Sequence, residues 1–589
     1  MPPFRPRAAL LPQLLLAFCF VPLLLHVPAA AAASGPVSYG GGGMAASRAA
    51  LASQVGSDIL AAGGNAVDAA VATGFALAVT HPSAGNLGGG GFMVIRMADG
   101  TTITNDHRER APAGASRDMY LDEDGQIIPG LSTASHLASG VPGTVDGLLA
   151  VLERFGTLSR QAVIAPAITL AEEGFPLPRD LAKALERRLP QFDSYPASLE
   201  QFSNDGKPYA VGDRFRQPDL AATLKRISDR GRDGFYEGRT ARLIVAEMKR
   251  GKGLITAQDL KDYRSVWREP IRGTYRGHEI ISMPPPSSGG VLLVQMLNML
   301  EGAPIGDFGF GSAATVHHMI EAERRAYADR AEHLGDPDFF PVPIEKLISK
   351  AYARERFDDF DPEKATPSSA ISAGRWPEES PQTTHASFMD AAGNAVAYTT
   401  TLNLSYGSKI VVTGAGFLLN NEMDDFSSKP DTPNAYGLLG REANAIAPGK
   451  RMLSSMTPTI VVKDDQPLLV TGSPGGSTII TTTLQVVMNV IDHEMGLSDA
   501  VGKPRFHHQW FPDRVVYEPN GLSPDTLNLL VDMGHVGLTP ISWGGGIGDA
   551  NSVLRRDGEI MGMADPRNAG AAIGPLRPPA DEPKQAAEN

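Results

Sequence analysis

The stretch that decides the fold is PQTTHASFMDAAGNAVAYTTTL, residues 381 to 402. Apolar and polar residues alternate on both sides of Gly393-Asn394, a pattern that predicts two strands joined by a tight hairpin turn. The segment before it, residues 361 to 382, is rich in Pro, Ser and Ala and has no periodic apolar pattern, which indicates a linker or a loose loop. Thr383 is therefore expected where a loose segment becomes a strand.

The position of Thr383 gives it a possible chemical role. If the bond between Gln382 and Thr383 were cut, the threonine would carry both a hydroxyl and a free α-amine. Such an amine has an ordinary pKa of about 7.7 to 8, so it could accept the proton of its own hydroxyl near neutral pH. A Thr-Thr pair at the start of a strand is also ordinary β-propensity, and the motif alone leaves both interpretations open.

The composition predicts a folded protein that does not bind nucleic acid. Hydrophobic residues make up 42% of the 589 residues and charged residues 20%, which argues against intrinsic disorder. Lys and Arg number 53 against 66 for Asp and Glu, a net charge of -13, and no polybasic run interrupts this acidic balance. Phosphate-backbone binding is therefore a poor candidate for the main function.

Residues 1 to 33 are predicted to be a secretory signal peptide. Arg5 and Arg7 precede the apolar stretch ALLPQLLLAFCFVPLLL, and a run of alanines ending at Ala33 follows it. An uncleaved membrane anchor is the alternative. Cys19, the only cysteine, lies inside this segment, so the exported chain would have no disulfide, no cysteine nucleophile and no thiolate metal site. The expected location is periplasmic or secreted, with no membrane contact after cleavage.

The remaining sequence predicts an α/β protein with sheets between helices. Two packed helices are expected over residues 45 to 80, a strand pair over 91 to 110, and mainly helices from 140 to 335. Strands return at 277 to 286 and at 457 to 473, where a second hairpin turns at Asp464-Asp465.

Several catalytic signatures are missing from the sequence, which has no Walker A loop, no H-E-x-x-H and no G-x-S-x-G. The glycine run at 88 to 91 precedes an apparent strand, so tight packing is a better explanation for it than a dinucleotide loop.

Eight blocks in order resemble the γ-glutamyltransferase family of N-terminal nucleophile hydrolases, over roughly residues 36 to 570. They are NLGGGGFMV, DHRERAPA, PQTTHASF, TTTLNLSYGSK, LLNNEMDDFSSKP, KRMLSSMTPTIVV, TGSPGGS and PRFHHQW. The resemblance implies a four-layer α/β/β/α sandwich. It also implies self-cleavage into a large subunit, residues 34 to 382, and a small subunit, residues 383 to 589, which together form a heterodimer.

The resemblance assigns the catalytic roles. Thr383 is expected to be the nucleophile, first toward the Gln382 carbonyl during processing and then toward the γ-carbonyl of a substrate. Thr401 is expected to hydrogen-bond the new terminal residue and orient it. Gly475 and Gly476 match the oxyanion hole, where backbone N–H groups face developing negative charge.

The resemblance also implies a pocket for the amino acid head of a γ-glutamyl group, which is both cation and anion. Arg108 suits the carboxylate because its planar fork donates two parallel hydrogen bonds, with Ser454 and Ser455 as added donors. The residues expected to hold the ammonium are Asn403, Glu422 and Asp425. The stretch PDTPNAYGLLG, residues 430 to 440, resembles a lid loop with Tyr436 as its gate residue.

Tyr406 and Lys409 depart from the family pattern, because many bacterial relatives have Phe and a smaller residue there. This departure leaves the acceptor preference open. No cofactor and no metal are implied.

The predicted function is γ-glutamyl transfer from glutathione and related donors to water, amino acids or peptides through an ester on Thr383. A cephalosporin acylase that removes a glutaryl group is the nearest alternative, although a glutaryl group has no ammonium for Glu422 and Asp425. An inactive periplasmic binding protein on the same fold is an alternative from another class, and an unprocessed chain would support it.

Overall fold

The computed structural model describes residues 36–371, 383–429, 441–542 and 545–575. The predicted signal peptide at 1 to 33, the cleavage-site residue Gln382 and the lid residue Tyr436 lie outside these ranges. No helix in the described part of the chain combines the length and the apolar character needed to cross a membrane.

Most strands of the described residues are short and belong to two large sheets. In chain order the strands are β1 (Ser38–Tyr39), β2 (Gly43–Ser47), β3 (Gly90–Arg96), β4 (Thr102–Asp106), β5 (Phe175–Pro176), β6 (Arg214–Phe215), β7 (Val266–Arg268), β8 (Ile271–Tyr275), β9 (His278–Ser282), β10 (Thr384–Asp390), β11 (Ala395–Thr401), β12 (Thr459–Lys463), β13 (Gln466–Thr471), β14 (Phe506–His507), β15 (Val516–Tyr517), β16 (Thr539–Pro540), β17 (Ser552–Arg556), β18 (Glu559–Met563) and β19 (Ala571–Ile573).

Helices occupy most of the chain between β4 and β10, as the sequence predicts. In chain order the helices of the described residues are α1 (Ala50–Ala61), α2 (Ala66–Thr80), α3 (Thr144–Phe155), α4 (Arg160–Glu173), α5 (Arg179–Phe192), α6 (Pro196–Phe202), α7 (Pro218–Arg230), α8 (Asp233–Tyr236), α9 (Gly238–Gly251), α10 (Ala257–Asp262), α11 (Gly289–Leu300), α12 (Ile305–Phe308), α13 (Ala313–His333), α14 (Ile344–Leu347), α15 (Lys350–Phe357), α16 (Thr478–Ile491), α17 (Leu497–Gly502) and α18 (Pro524–Asp532).

Two seven-stranded antiparallel sheets form the centre of the fold. The first sheet has the strand order β19-β2-β10-β11-β3-β4-β7, and the second has the order β1-β18-β17-β13-β12-β9-β8. Each sheet combines strands from before and after Thr383. The two halves of the chain therefore share both sheets.

The sheets face each other across an apolar core. Phe92, Val94 and Met389 of the first sheet share one buried cluster with Ile460 and Val470 of the second sheet. Helices α1 and α2 cover the outer face of the first sheet, and α11, α16 and α17 cover the outer face of the second. This confirms the predicted four-layer α/β/β/α sandwich.

Helix α2 lies completely inside the protein, because every one of its residues is buried. Its sequence, AVDAAVATGFALAVT, is made mostly of small residues, which lets α1 and the first sheet approach it closely. The side chain of Asn65 accepts hydrogen bonds from two backbone N–H groups of the first turn, and the Asp68 carboxylate accepts one from the Asn65 N–H. This capping box satisfies polar groups at a helix end that water cannot reach.

Both predicted hairpins are present. Strands β10 and β11 pair in register, with Met389 opposite Ala395 and Gly393 at a φ of 95° in the turn. Asp464 and Asp465 have φ values of 50° and 57° between β12 and β13, as a tight two-residue turn requires. The prediction of helix over residues 45 to 80 was wrong at its start, because Gly43–Ser47 pairs with β10 as strand β2.

The glycine run at 88 to 91 packs tightly against backbone, as the sequence analysis favours. A Cβ atom at Gly88 would collide with the Leu418 carbonyl oxygen, and one at Gly91 with the Thr399 carbonyl oxygen. Without side chains here, β3 can pair with β11 up to Thr401. The glycines therefore help to fix the end of β11, where a predicted catalytic residue lies.

Candidate active site

A small cavity opens where β10 starts and β11 ends. It collects most of the residues that the sequence singles out, although they come from six separate parts of the chain. The lining residues are Arg108, Arg330, Thr383, Thr401, Asn403, Glu422, Asp425, Ser454, Ser455, Met456, Gly476 and Ile479. Gly475 precedes the lining residue Gly476.

Thr383 lies at the edge of this cavity, one residue before β10 begins at Thr384. Its hydroxyl donates to the Thr401 Oγ1 at 3.4 Å. Thr401 Oγ1 also accepts the backbone N–H of Asn403 at 2.8 Å, so its own position is fixed from two sides. The end of β11 therefore helps to orient the Thr383 hydroxyl through the Thr401 side chain.

No histidine, cysteine or lysine belongs to the described residues that line the cavity. The histidine nearest in sequence, His385, is buried, and burial lowers its pKa to about 3. Its ring nitrogens lie 2.8 Å from Thr399 Oγ1 and 3.0 Å from Ser387 Oγ. His385 is thus a neutral member of the core, and a general base for Thr383 has to come from elsewhere.

Gly475 and Gly476 form the turn that leads into α16. Gly475 has a φ of 138° and Gly476 a φ of 59°, backbone regions that residues with side chains rarely adopt. The carbonyl of Gly475 accepts from the backbone N–H and the hydroxyl of Thr478, at 3.1 and 2.8 Å. The N-terminal end of a helix carries partial positive charge, which favours an anion next to this turn.

Arg108 is buried in the wall of the cavity and is surrounded by carboxylates. Its guanidinium lies 2.5 Å from Glu422 Oε2, is ion-paired with Asp425, and is 3.6 Å from Glu109 Oε2. It also donates to the carbonyl of Met452 at 3.3 Å. Arg108 therefore holds the acidic side chains and the backbone just before Ser454 in one arrangement.

Burial disfavours the ionised forms of the carboxyl groups around Arg108. Burial raises the pKa of Glu109 to about 8, and burial also raises the pKa of Glu422 and of Asp425 against the opposing charge of Arg108. Burial lowers the pKa of Arg108, but the charges of Glu422, Asp425 and Glu109 raise it above its ordinary value on balance. A further positive charge in this cavity would be favourable.

Asp424 and Asp425 are adjacent in sequence but have different environments. Asp424 accepts the Ser132 hydroxyl at 2.7 Å, away from the lining residues, whereas Asp425 lines the cavity. Both belong to the 3-10 helix Glu422–Asp425, which separates their directions. The structure therefore places Asp425, and not Asp424, at the cavity.

Ser454 and Ser455 lie side by side before β12 and are both buried at the cavity. The Ser454 hydroxyl accepts the backbone N–H of Met456 at 3.1 Å, and the Ser455 hydroxyl accepts from Arg330 at 3.3 Å. Each hydroxyl oxygen thus accepts a hydrogen bond from the protein. Each hydroxyl can then donate its own proton elsewhere.

Asn403 enters the cavity from a turn with left-handed backbone, at a φ of 73°. Its side-chain amide donates to the Asn421 carbonyl at 2.9 Å. Tyr406, farther along the same loop, is not a lining residue, and its ring packs edge-to-face on Phe192 and Phe202. The departure at Tyr406 therefore alters an aromatic cluster and not the wall of this cavity.

Sequence reasoning missed Arg330 and the apolar wall formed by Met456 and Ile479. Arg330 belongs to EAERRAYADRAEH, a run of charges that looks like a solvated helix face. No local signal distinguishes it from the other arginines of that run. Its importance becomes visible only when α13 is found buried against α11.

Three side chains with metal-ligand chemistry meet away from the cavity, His317, Glu321 and His535. The Glu321 carboxylate is already bound by Arg324 at 3.3 Å and Arg325 at 2.6 Å. His317 Nδ1 and His535 Nε2 lie 2.7 Å apart and hydrogen-bond to each other. These contacts describe a buried network that joins α13 to the loop after α18.

A two-sheet sandwich in which a cavity-facing threonine directly precedes a central strand is the architecture of the N-terminal nucleophile hydrolases. Within that class the chain belongs to the γ-glutamyltranspeptidase family. The family model described as Gamma-glutamyltranspeptidase matches residues 52–575.

Relatives and solved structures agree with this membership. The chain is 51% identical over 557 residues to a glutathione hydrolase proenzyme of Escherichia coli (strain K12), covering 92% of this chain and 95% of the relative. A cephalosporin acylase structure from Bacillus halodurans is 30% identical with a TM-score of 0.81, covering 92% of this chain and 97% of the other. A γ-glutamyltranspeptidase structure from Helicobacter pylori is 48% identical with a TM-score of 0.54, covering 55% and 93%.

Proposed function

We propose that the chain is an exported, self-processing γ-glutamyltransferase and glutathione hydrolase with Thr383 as its nucleophile. The observation that carries this proposal is the position of the Thr383 hydroxyl, which shares a small cavity with Arg108, Glu422 and Asp425. A hydroxyl beside one buried cation and two acidic groups suits an acyl group that ends in an amino acid head. The family membership supports the same reaction.

Processing is the first proposed reaction. The Thr383 hydroxyl attacks the Gln382 carbonyl, the peptide bond becomes an ester, and water releases the Gln382 carboxyl group. The freed α-amine of Thr383 then serves as the base for its own hydroxyl. This base fits a cavity whose described lining contains no histidine.

Turnover follows a ping-pong route. Thr383 attacks the γ-carbonyl of the donor, and backbone N–H groups of Gly475 and Gly476 stabilise the oxyanion. The leaving amine takes the proton from the Thr383 α-amine, and a γ-glutamyl ester remains on Thr383. Water or an amino acid or peptide amine then takes the acyl group and frees the hydroxyl.

The charges of the cavity support a γ-glutamyl donor. Burial raises the pKa of both Glu422 and Asp425, which line the cavity, so the substrate's ammonium would favour their ionised forms. Arg108, Ser454 and Ser455 then donate to the α-carboxylate.

Glutaryl acylase activity is the second candidate, since a cephalosporin acylase structure resembles the chain over 92% of its length. A glutaryl group has a carboxylate but no ammonium, so it would leave Glu422 and Asp425 without a partner from the substrate. Comparing kcat/KM for γ-glutamyl-p-nitroanilide and glutaryl-p-nitroanilide separates the two candidates. A preference for the glutaryl amide would replace the proposed function.

The mature form is proposed to be a heterodimer of residues 34 to 382 and 383 to 589, located in the periplasm or secreted. Shared sheets support it, because strands from both subunits pair with each other in each sheet and would hold the cleaved chains together. The basic and apolar segment at residues 1 to 33 supports export.

The proposed processing gives a direct result on a gel. The 62.4 kDa precursor should yield a small chain of roughly 22 kDa, its proportional share of the mass, when Thr383 cleaves the preceding bond. Edman sequencing of that chain should begin Thr-Thr-His-Ala-Ser. Any other start would remove Thr383 from the mechanism.

Product analysis with γ-glutamyl-p-nitroanilide, with and without glycylglycine, tests the activity and measures hydrolysis against transfer. Released p-nitroaniline reports the acylation step, and γ-glutamyl-glycylglycine reports transfer. An unprocessed chain that released no p-nitroaniline would favour a binding protein on this fold.

Arg108→Lys should lower kcat/KM for γ-glutamyl-p-nitroanilide by roughly 10- to 150-fold. Lysine keeps the charge but loses the two-pronged fork, which weakens hydrogen bonds to a charged group worth about 1.5 to 3 kcal/mol. Processing should survive, because the Gln382 bond offers no free α-carboxylate for Arg108 to hold.

Arg110→Lys is the matched control for Arg108→Lys. Arg110 lies two residues away and donates to the Gly449 carbonyl at 2.9 Å, but it is not among the lining residues. Its replacement should leave kcat/KM within about twofold. A cleaved Arg108→Lys enzyme that also stayed within about twofold of wild type would contradict the assignment of Arg108.

A further inference from the structure

Arg330 is the second arginine of the candidate active site, and it reaches the cavity from α13. Arg330 is buried, with only 4% of its surface exposed. The guanidinium donates from Nε to the Ser288 hydroxyl at 2.9 Å and from a terminal nitrogen to the Ser455 hydroxyl at 3.3 Å. One buried side chain therefore contacts a helix start, the serine pair and the cavity.

The contact with Ser455 determines where that serine's proton can go. A guanidinium has donors and no acceptor, so the Ser455 oxygen must be the acceptor of this hydrogen bond. In the described part of the chain, no acceptor is found for the Ser455 hydroxyl proton. Since Ser455 lines the cavity, its proton can point at a substrate anion there.

Arg330 also braces Ser454, through Ser288. The Ser288 hydroxyl accepts from Arg330 and donates to the Ser454 carbonyl at 2.7 Å. The backbone N–H of Ser288 donates to the same carbonyl at 2.8 Å. The Ser454 carbonyl and the Ser455 side chain are thus tied to one guanidinium, which restricts how the pair can turn.

The charge of Arg330 acts on the same pocket. Burial raises the pKa of Asp425, while the charges of Arg108 and Arg330 oppose that rise. Arg330 therefore helps to keep Asp425 ionised on the side that would face an ammonium. It also adds positive potential on the side of the serine pair.

We propose that Arg330 is a positioning residue that presents the Ser454 and Ser455 hydroxyls to the α-carboxylate of the donor. It thereby selects donors that carry a carboxylate at this end of the acyl group. This inference rests on the proposed γ-glutamyl transfer, and it adds the residue on which recognition of the carboxylate depends.

Three p-nitroanilides separate this role from a general structural one. The γ-glutamyl amide has both head groups, the glutaryl amide keeps only the carboxylate, and the 4-aminobutyryl amide keeps only the ammonium. In Arg330→Lys, kcat/KM should fall about 10- to 100-fold for the two amides with a carboxylate. It should stay within about threefold for the 4-aminobutyryl amide.

Equal losses for all three amides would overturn the proposal, because they would indicate damage to the whole site. A loss below about threefold for the two carboxylate amides would also overturn it. If wild-type enzyme released no p-nitroaniline from the γ-glutamyl amide, the proposed function itself would have failed, which is a separate outcome.

Two further variants keep the test decisive if Arg330→Lys does not fold. Ser288→Ala removes only the link to Ser454, and it should show the same selectivity with a smaller loss of about three- to tenfold. Arg356→Lys is the matched control, since Arg356 pairs with Asp329 on α13 at 3.1 Å but lies outside the cavity lining. It should leave the ratios between the three amides unchanged, and equal losses in Ser288→Ala would overturn the proposal.

Discussion

Thr383→Ala is expected to stop both cleavage of the precursor and all turnover of γ-glutamyl amides. The alanine has no hydroxyl, so neither the Gln382 carbonyl nor the γ-carbonyl of a donor meets a nucleophile. Removing the nucleophile of an enzyme of this kind lowers kcat by on the order of 10⁶-fold. A gel should show a single uncleaved chain, and the release of p-nitroaniline should equal that of buffer.

Thr383→Ser tests whether the hydroxyl is the group that matters. Serine keeps the hydroxyl that donates to Thr401 Oγ1, so some cleavage and some turnover should remain. Thr384→Val is the matched control, because Thr384 is the next residue, is also buried, and lies outside the cavity lining. It should be cleaved and active. If purified Thr383→Ala protein still split before residue 383, an external protease would perform the processing.

The features that depend on neighbouring residues could be predicted from the sequence. The hairpin of β10 and β11 follows from alternating residues around Gly393-Asn394, and the strand begins within one residue of the predicted point. The glycine run at 88 to 91 was correctly interpreted as tight packing, because added Cβ atoms there would collide with backbone carbonyl oxygens. Local order was sufficient for the hairpin because the sequence pattern and the turn that it produces occupy the same few residues.

The arrangement of charges in the cavity could not be predicted in this way. Arg108 and Asp425 are 317 residues apart in sequence and form an ion pair in the fold. The family resemblance indicated that both belong to the pocket, but not that Glu109 and Glu422 share the same guanidinium. The carboxylates compete for one guanidinium because they are buried around it, and their burial depends on the whole sandwich fold.

Arg330 is a single residue whose place in the cavity could not be predicted from the sequence. An arginine in a charged helical run is usually solvated, and only the packing of α13 against α11 buries it. The start of β2 was also missed, because its small residues look like the helices that follow. Its strand conformation comes from pairing with β10, whose residues lie more than 300 positions later.

Gly475→Ala should lower kcat by about 10²- to 10³-fold, the usual cost of losing an oxyanion donor, about 2.7 to 4 kcal/mol. Gly475 has a φ of 138°, which a residue with a side chain rarely adopts, and its added Cβ would collide with Thr478 Oγ1 at the start of α16. The turn must therefore move, and the N–H groups of Gly475 and Gly476 move with it. KM should stay within about threefold, because other residues hold the amino acid head.

The kcat of Gly475→Ala should be calculated per mole of cleaved small chain. Uncleaved precursor would otherwise hide the effect on turnover. Gly558→Ala is the matched control, because Gly558 has a φ of 80° in the turn between β17 and β18 and no atom within 4 Å of an added Cβ. Gly558 also has a positive φ but lies outside the cavity lining, so the kcat of Gly558→Ala should stay within about twofold. If the two variants lost kcat equally, or if Gly475→Ala raised KM while kcat stayed unchanged, Gly475 would not belong to the oxyanion hole. A selective loss of kcat would instead mean that this turn stabilises the transition state while Arg108 and the serine pair bind the donor.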